Sequence, residues 1–182
     1  WMDYIQNEIQ SMDKLINDLL LLTKIENVDN IQEYKIFDVS KEVEMIVAMF
    51  ESMAYEKNVN ISSKIQENIM LNGYKEDIYH ILSTLIDNAI KHTLPKENVV
   101  IELFKIKNEM ILQVKNEGKE IPECEKEKIF ERFYRIDKSR NRNEKRYGLG
   151  LAIAKSIVKK YNGNIKVSYK DGFTIFKVNI PL

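Results

Sequence analysis

Hydrophobic periodicity changes character once along this chain, and that change constrains the fold more than any other feature. Met2, Ile5, Ile9, Met12, Ile16 and Leu19 recur at alternating spacings of three and four, a heptad seam, and Leu15, Leu20 and Leu22 widen the apolar face. Residues 1 to about 27 therefore read as one amphipathic helix. Such a helix cannot hide its apolar face alone, so it must pack on its own domain, a second helix or a second chain. The chain opens at Trp1 inside this pattern, without an initiating Met, and is expected to be a piece excised from a longer protein. Glu26 to Asn30 turn polar and break the period, which puts a linker at residues 29–34.

Beyond the linker, helical and strand periods alternate. Ser40 is the expected N-cap of a helix running to about Lys57, with Val43, Ile46, Val47 and Phe50 inward. Val59 to Lys64 reads as a short strand, and residues 75–92 as a second helix with Ile78, Ile81, Leu82, Leu85 and Ala89 on one side. Val99 to Lys107 and Met110 to Asn116 form one hairpin signal, joined by Asn108 and Glu109. Ile165 to Lys170 and Phe173 to Ile180 form a stronger one around Asp171-Gly172. Between the hairpins lie a polar stretch, residues 117–148, and a third helix from Leu149 to Tyr161, ended by Asn162-Gly163. The sum is an α+β two-layer sandwich, a mixed sheet with helices on one face, preceded by the amphipathic helix.

Composition removes several function classes. With 28 basic and 28 acidic residues there is no overall positive field to attract nucleic acid or anionic lipid, so no nucleic-acid partner is expected. Cys124 is the single cysteine, which excludes a disulfide framework and a thiolate zinc cluster and makes the cytosol the expected compartment. No apolar run approaches the roughly 20 residues of a membrane span, and no signal peptide is recognisable.

On the second helix His80, Thr84, Asp87, Asn88 and Lys91 gather on the face opposite the apolar stripe, although a solvated face has the same appearance. The string Leu85-Ile86-Asp87-Asn88-Ala89-Ile90-Lys91-His92-Thr93 resembles the N box of the histidine-kinase and related ATPase superfamily. Asn116 to Pro122 resembles its first glycine box, Ile129 to Arg135 its phenylalanine box, and Gly148 to Ala154 its second glycine box. Thr174-Ile175-Phe176 before Pro181-Leu182 resembles the closing strand. Any one box is weak, but four in family order over residues 35–182 make this stretch similar to the ATP-binding catalytic domain of sensor histidine kinases. The phenylalanine box separates these from gyrases, heat-shock chaperones and mismatch-repair ATPases, which lack it.

The resemblance implies a Bergerat-type fold, with three helices on one face of the sheet, and ATP with Mg²⁺ as its ligands. Asn88 takes the place of the Mg²⁺ anchor, a role an amide oxygen suits because the ion keeps waters and phosphate oxygens as its other ligands. Lys91 takes the place of the phosphate cation. Gly148, Leu149, Gly150 and Leu151 open the third helix, where free N–H groups and the dipole favour an anion. Asn116, Gly118, Ile121 and Thr174 line the base pocket, with His92 where an aromatic ring commonly stacks on adenine, or else a surface histidine. Phe133, with Phe130 and Tyr134, belongs to the anchor of the lid or else to ordinary core packing, and Lys138 and Arg140 lie in the lid itself. Three residues depart from the pattern: Asn116 replaces an Asp, Glu120 a Gly and Thr84 an Asn, while Lys145 and Arg146 stand where lid glycines are common. A neutral hydrogen bond to adenine in place of a charged one implies ATP binding weaker by about 1 kcal/mol.

The family moves the γ-phosphoryl to a histidine on a helical hairpin, and neither His80 nor His92 has that setting. Residues 1–28 are expected to be the second helix of that hairpin, with the acceptor histidine outside this chain, and residues 35–182 the catalytic domain. A parent homodimer built through the hairpin, a response-regulator receiver domain as onward acceptor, and a membrane-attached parent with this part in the cytoplasm all follow from the resemblance. Asp87 is a weaker candidate for a general base. Two other readings stay open: a degenerate ATP-binding or dimerisation module without catalysis, and an ATPase switch driven by nucleotide.

Overall fold

The computed structural model describes residues 2–26, 33–136 and 147–182. Helix α1 spans Met2–Glu26 and is followed by strand β1, Lys35–Asp38, and helix α2, Val39–Glu56. Strands β2, Asn60–Ile65, and β3, Met70–Gly73, precede α3, Lys75–His92. Strands β4, Asn98–Ile106, and β5, Glu109–Glu117, form a hairpin; two short 3-10 turns follow at Glu123–Glu125 and Lys128–Phe130. Helix α4, Gly150–Lys160, leads into a second hairpin, β6, Asn164–Lys170, and β7, Phe173–Pro181.

The five-stranded sheet has the order β2-β4-β5-β7-β6, with β2 parallel to β4 and every other pair antiparallel. Period-two patterning turns Val99, Ile101, Leu103, Met110, Leu112, Val114, Phe176 and Val178 to one buried face. There α2 packs on β2 and β4, α3 on β4 and β5, and α4 on β6 and β7, so the expected α+β two-layer architecture is present. The opposite face carries polar cross-strand pairs such as Lys115 with Glu102, 2.7 Å apart.

Two local expectations are corrected. Asp38, not Ser40, caps α2: its carboxylate accepts from the Ser40 N–H at 3.1 Å, where a negative charge also suits the helix start. Ser40 is buried instead, its hydroxyl donating to the Gln66 carbonyl at 2.7 Å and accepting from the Ile69 N–H at 3.1 Å, which ties α2 to the β2–β3 loop. The first hairpin turns at Lys107-Asn108, one residue earlier than expected, with Lys107 at φ 55° and Glu109 paired with Ile106. Asn108 fixes that position, donating its side-chain amide to the Leu182 carbonyl at 2.7 Å while its own carbonyl accepts from the Leu182 N–H at 2.9 Å. Asp171-Gly172 turns as expected, both residues at positive φ. The small β1–β3 sheet lies outside the sequence reading.

Helix α1 divides its apolar residues. Leu22 joins the core and Leu15, Leu21 and Ile25 pack against it, with α1 lying on α4. Ile5, Ile9, Met12, Ile16 and Leu19, all the residues of the heptad seam whose side chains are described, are exposed. Burial pushes the Asp18 carboxyl up, opposed by the nearby charges of Lys14 and His80, so α1 also faces α3.

Candidate functional site

Helices α3 and α4 run antiparallel. Asp77 in the first turn of α3 meets Lys160 at the end of α4, and Gly150 at the start of α4 lies on Thr84. A Cβ added to Gly150 would stand 3.1 Å from Thr84 Cγ2, so glycine lets the start of α4 settle against the polar face of α3. The N-cap residue, Leu149, makes no side-chain cap. The first N–H groups of α4 have no intrahelical partner and lie, with the positive end of the dipole, beside the polar face of α3. On that face of α3 lie Asp87, Asn88 and Lys91, with Lys91 Nζ 2.6 Å from Asp87 Oδ1. The carboxylate holds the ammonium on the surface of α3, one turn along the same helix.

Gly148 sits at φ 69°, and an added Cβ would come within 2.7 Å of the Tyr134 carbonyl oxygen and 3.0 Å of the Phe133 carbonyl carbon. Here the second glycine box and the phenylalanine box touch: the Phe133 N–H donates to the Gly148 carbonyl at 3.0 Å. Phe133 is at φ 63° and 59% exposed, an unusual backbone for an aromatic residue, whereas Phe130 is buried edge-on against Phe176. Tyr134 braces the turn by donating to Glu125, which pushes its phenol up to about 12. Core packing thus accounts for Phe130 but not for Phe133.

The second group forms around β5 and β7. Asn116 and Thr174 are direct partners across the strands and are 5% and 4% exposed. The Asn116 amide nitrogen donates to the Glu117 carbonyl at 3.2 Å, which leaves its oxygen as the acceptor. The Thr174 hydroxyl donates to the Lys119 carbonyl at 3.1 Å. A Cβ on Gly118 would lie 3.4 Å from the His92 carbonyl oxygen and 3.6 Å from Asn116 Nδ2, so this group adjoins the end of α3. Ile121 packs on the core nearby, and His92 is exposed. Leu149 is buried and Leu151 partly so, both as supports of α4. Lys138 and Arg140 lie outside the described residues.

Two contributors escaped the sequence reading. Glu117 accepts from the backbone and side-chain amides of Asn98 at 2.7 and 2.9 Å, anchoring the first glycine box to β4. Thr84, read from the sequence as part of the polar face of α3 and as a departure from the N box, has a role neither reading gave it: it is the surface on which Gly150 rests. Cavities of about 280 and 380 Å³ lie at the β6–β7 end and on the bare sheet face, and neither contains these residues. Among the described residues no cluster of three or more His, Cys, Asp or Glu could hold a metal. No helix there is long and apolar enough to cross a membrane.

The family described as Histidine kinase-, DNA gyrase B-, and HSP90-like ATPase matches residues 73–182. The sensor protein DltS of Streptococcus agalactiae is 29% identical over 182 residues, all of this chain and 46% of the relative. The signal transduction histidine-protein kinase ArlS of Staphylococcus epidermidis is 34% identical over 179 residues, 96% of this chain and 38% of the relative. The chain thus spans less than half the length of either. The solved histidine kinase AdeS of Acinetobacter baumannii shares the fold with a TM-score of 0.81 at 23% identity, covering 99% of this chain and 83% of that one.

Proposed function

The chain belongs to the histidine kinase-, DNA gyrase B- and HSP90-like ATPase family, and from that premise we propose that it is the catalytic part of a two-component sensor histidine kinase. In this reading residues 35–182 bind ATP and pass its γ-phosphoryl to a histidine borne outside this chain, for transfer to a receiver-domain aspartate. The single observation that carries it is the uncapped start of α4 resting through Gly150 on the polar face of α3. A triphosphate between the helices is met from one side by N–H donors and from the other by an amide and an ammonium.

The residues fit a Mg²⁺–ATP complex: Asn88 offers one neutral oxygen to the ion, and the buried Asn116–Thr174 pair offers polar atoms to a base. The ion, when bound, neutralises charge on the phosphates. Lys91 swings from Asp87 to the phosphate oxygens, so Asp87 acts by placing that ammonium and not as a base. The N–H groups at Gly150 and Leu151 hold the phosphates at the positive end of α4. Gly148 keeps Phe133 and the start of the lid beside them, and Lys138 and Arg140 add cations from that lid. Gly118, Ile121 and His92 close round the base. Catalysis then rests on positioning and charge, as phosphoryl transfer requires.

Residues 1–28 we assign to the second helix of the phosphoacceptor hairpin and 29–34 to a linker; the exposed seam of α1 supports a parent homodimer. Membrane attachment of the parent follows from the same family reading. Calorimetric titration with Mg²⁺ and a non-hydrolysable ATP analogue, beside Asn88→Ala, tests the site. Saturable, Mg²⁺-dependent binding that collapses in the variant is expected. Absence of binding by the unaltered chain overturns the reading in favour of an interaction module without nucleotide.

A further inference from the structure

Helices α3 and α4 are pinned a second time, at the ends away from Thr84 and Gly150. Asp77, 6% exposed, accepts from the Tyr161 hydroxyl and the Lys160 ammonium, each at 2.7 Å. The Tyr161 oxygen accepts in turn from the Tyr74 N–H at 2.9 Å, so this hydroxyl is engaged both as donor and as acceptor. Its ring occupies the space over Gly73, where a Cβ would fall 2.4 Å from the Tyr161 hydroxyl oxygen. Tyr34, the residue before β1, closes the group from outside. It stacks on Tyr161 with centroids 5.7 Å apart and planes 17° apart, and meets Tyr74 edge-on at 5.0 Å. Lys160 Nζ lies 4.4 Å from the Tyr74 ring centre, 5.7 Å from that of Tyr34 and 5.8 Å from that of Tyr161. One carboxylate and three aromatic rings therefore cage a single ammonium.

This cage stands at the far end of the helix whose start holds the phosphates. With 11 residues α4 is roughly 16 Å long and stiff, so an angle set at Lys160 reappears at Gly150. Asp77 and Tyr161 are buried and belong to the core's own stability, but Tyr34 is 42% exposed and can leave the cage without opening the core. Burial, then the Asp77 charge, push the Tyr34 phenol up, so it stays neutral beside that carboxylate.

We propose that Tyr34 is a positioning residue for the nucleotide site: by closing the cage on Lys160 it fixes the splay of α4 against α3, and with it the distance from the Gly150 N–H groups to Asn88 and Lys91. The inference rests on the nucleotide reading above. Because coupling between sites is reciprocal, nucleotide bridging the two helices also tightens the cage.

The test titrates the whole chain, Tyr34→Ala, Tyr34→Phe and Asn88→Ala with Mg²⁺ and a non-hydrolysable ATP analogue, and follows hydrogen exchange at residues 33–38 and thermal unfolding. Tyr34→Ala is expected to bind about fivefold more weakly, at the low end of couplings between sites, with little change in melting. Tyr34→Phe keeps the stacked ring and binds as the unaltered chain does, and nucleotide slows exchange at residues 33–38 in the unaltered chain. Binding by Tyr34→Ala within about twofold of the unaltered chain, or exchange at 33–38 indifferent to nucleotide, overturns the proposal. If that happens while Asn88→Ala loses binding, only the cage falls. If the unaltered chain binds nothing, the nucleotide reading falls and takes the cage's role with it.

Discussion

Gly150→Ala adds one methyl group at the contact that defines the candidate phosphate site. The new Cβ stands 3.1 Å from Thr84 Cγ2, against the 3.5–4.0 Å or so at which carbon pairs are comfortable, so α4 must retreat by roughly 0.5 Å. Stability falls by up to about 2 kcal/mol, because overpacking of about 1–3 kcal/mol is offset by up to about 1 kcal/mol that Ala gains over Gly in a helix. Nucleotide affinity falls as well. Hydrogen bonds to a charged group are worth about 1.5–3 kcal/mol, and lengthening one or two of them by that distance forfeits about 1 kcal/mol, roughly fivefold in Kd. Thr84→Ser removes the obstructing methyl and keeps the hydroxyl, whose oxygen is 3.6 Å from the same point. Calorimetry on the two single variants and the double variant should therefore show Thr84→Ser near the unaltered chain, Gly150→Ala weakened, and the double variant restored, a coupling of about 0.5–1 kcal/mol. An unaltered Kd for Gly150→Ala, or a double variant as weak as the single one, refutes the claim that this contact sets the distance from α4 to the phosphates.

Three further outcomes are expected. Asn116→Asp should tighten nucleotide binding by about 1 kcal/mol through a charge-assisted bond. It should also lower the melting temperature without nucleotide, because the donor to the Glu117 carbonyl is lost and a carboxylate is buried; paired titration and melting experiments check both. Gly148→Ala and Gly172→Ala both place alanine at positive φ, but only Gly148 meets backbone, whereas nothing lies within 4 Å of a Cβ at Gly172. Denaturant unfolding should show Gly148→Ala costing about 1–3 kcal/mol more than Gly172→Ala, and equal losses would rule out the contact with the phenylalanine box. Tyr134 is raised in the folded state by its bond to Glu125, so the stability from that bond is present below pH 10 and is lost as the pH rises toward 12. Absorbance titration of Tyr134→Phe beside the unaltered chain should place the missing phenolate near pH 12, and a difference already complete at pH 10 would contradict the bond.

The sequence exposed the layers and the order of the boxes, because both rest on periodic patterning or on glycines in a fixed order. It did not expose β1 and β3: each has four residues, and in neither do apolar and polar residue types alternate, although β3 alternates in burial once folded. Ser40 looked like a cap because the residue type suits one, yet Asp38, two residues earlier, offers a charged acceptor, and the serine's real partners are Gln66 and Ile69. Site residues were legible as a set and not as a geometry. Lys91 and Asp87 share a helix face in the sequence, but that one holds the other follows only from rotamers, and the fit of Gly150 to Thr84 spans more than sixty positions. The Asp77–Lys160–Tyr161 cage joins residues that carry no motif, so no pattern could announce it.

Helix α1 shows how a pattern can name a face without naming what covers it. Its apolar residues form a stripe wider than a seam, and the sequence leaves open whether the own domain, another helix or another chain packs on it. In the structure both demands are present at once on different residues. Leu22, with Leu15, Leu21 and Ile25, meets the domain, while Ile5, Ile9, Met12, Ile16 and Leu19 remain in water. The docked residues cluster toward the end nearest the domain, and the exposed ones keep the three-four spacing of a coiled-coil seam. A helix that served only to cover its own domain would have no reason to keep a second apolar stripe at that spacing, since polar residues there would cost nothing in packing and would aid solubility. The division therefore favours a helix that packs on its own domain with one stripe and offers the other to a partner helix, as the proposed phosphoacceptor hairpin requires.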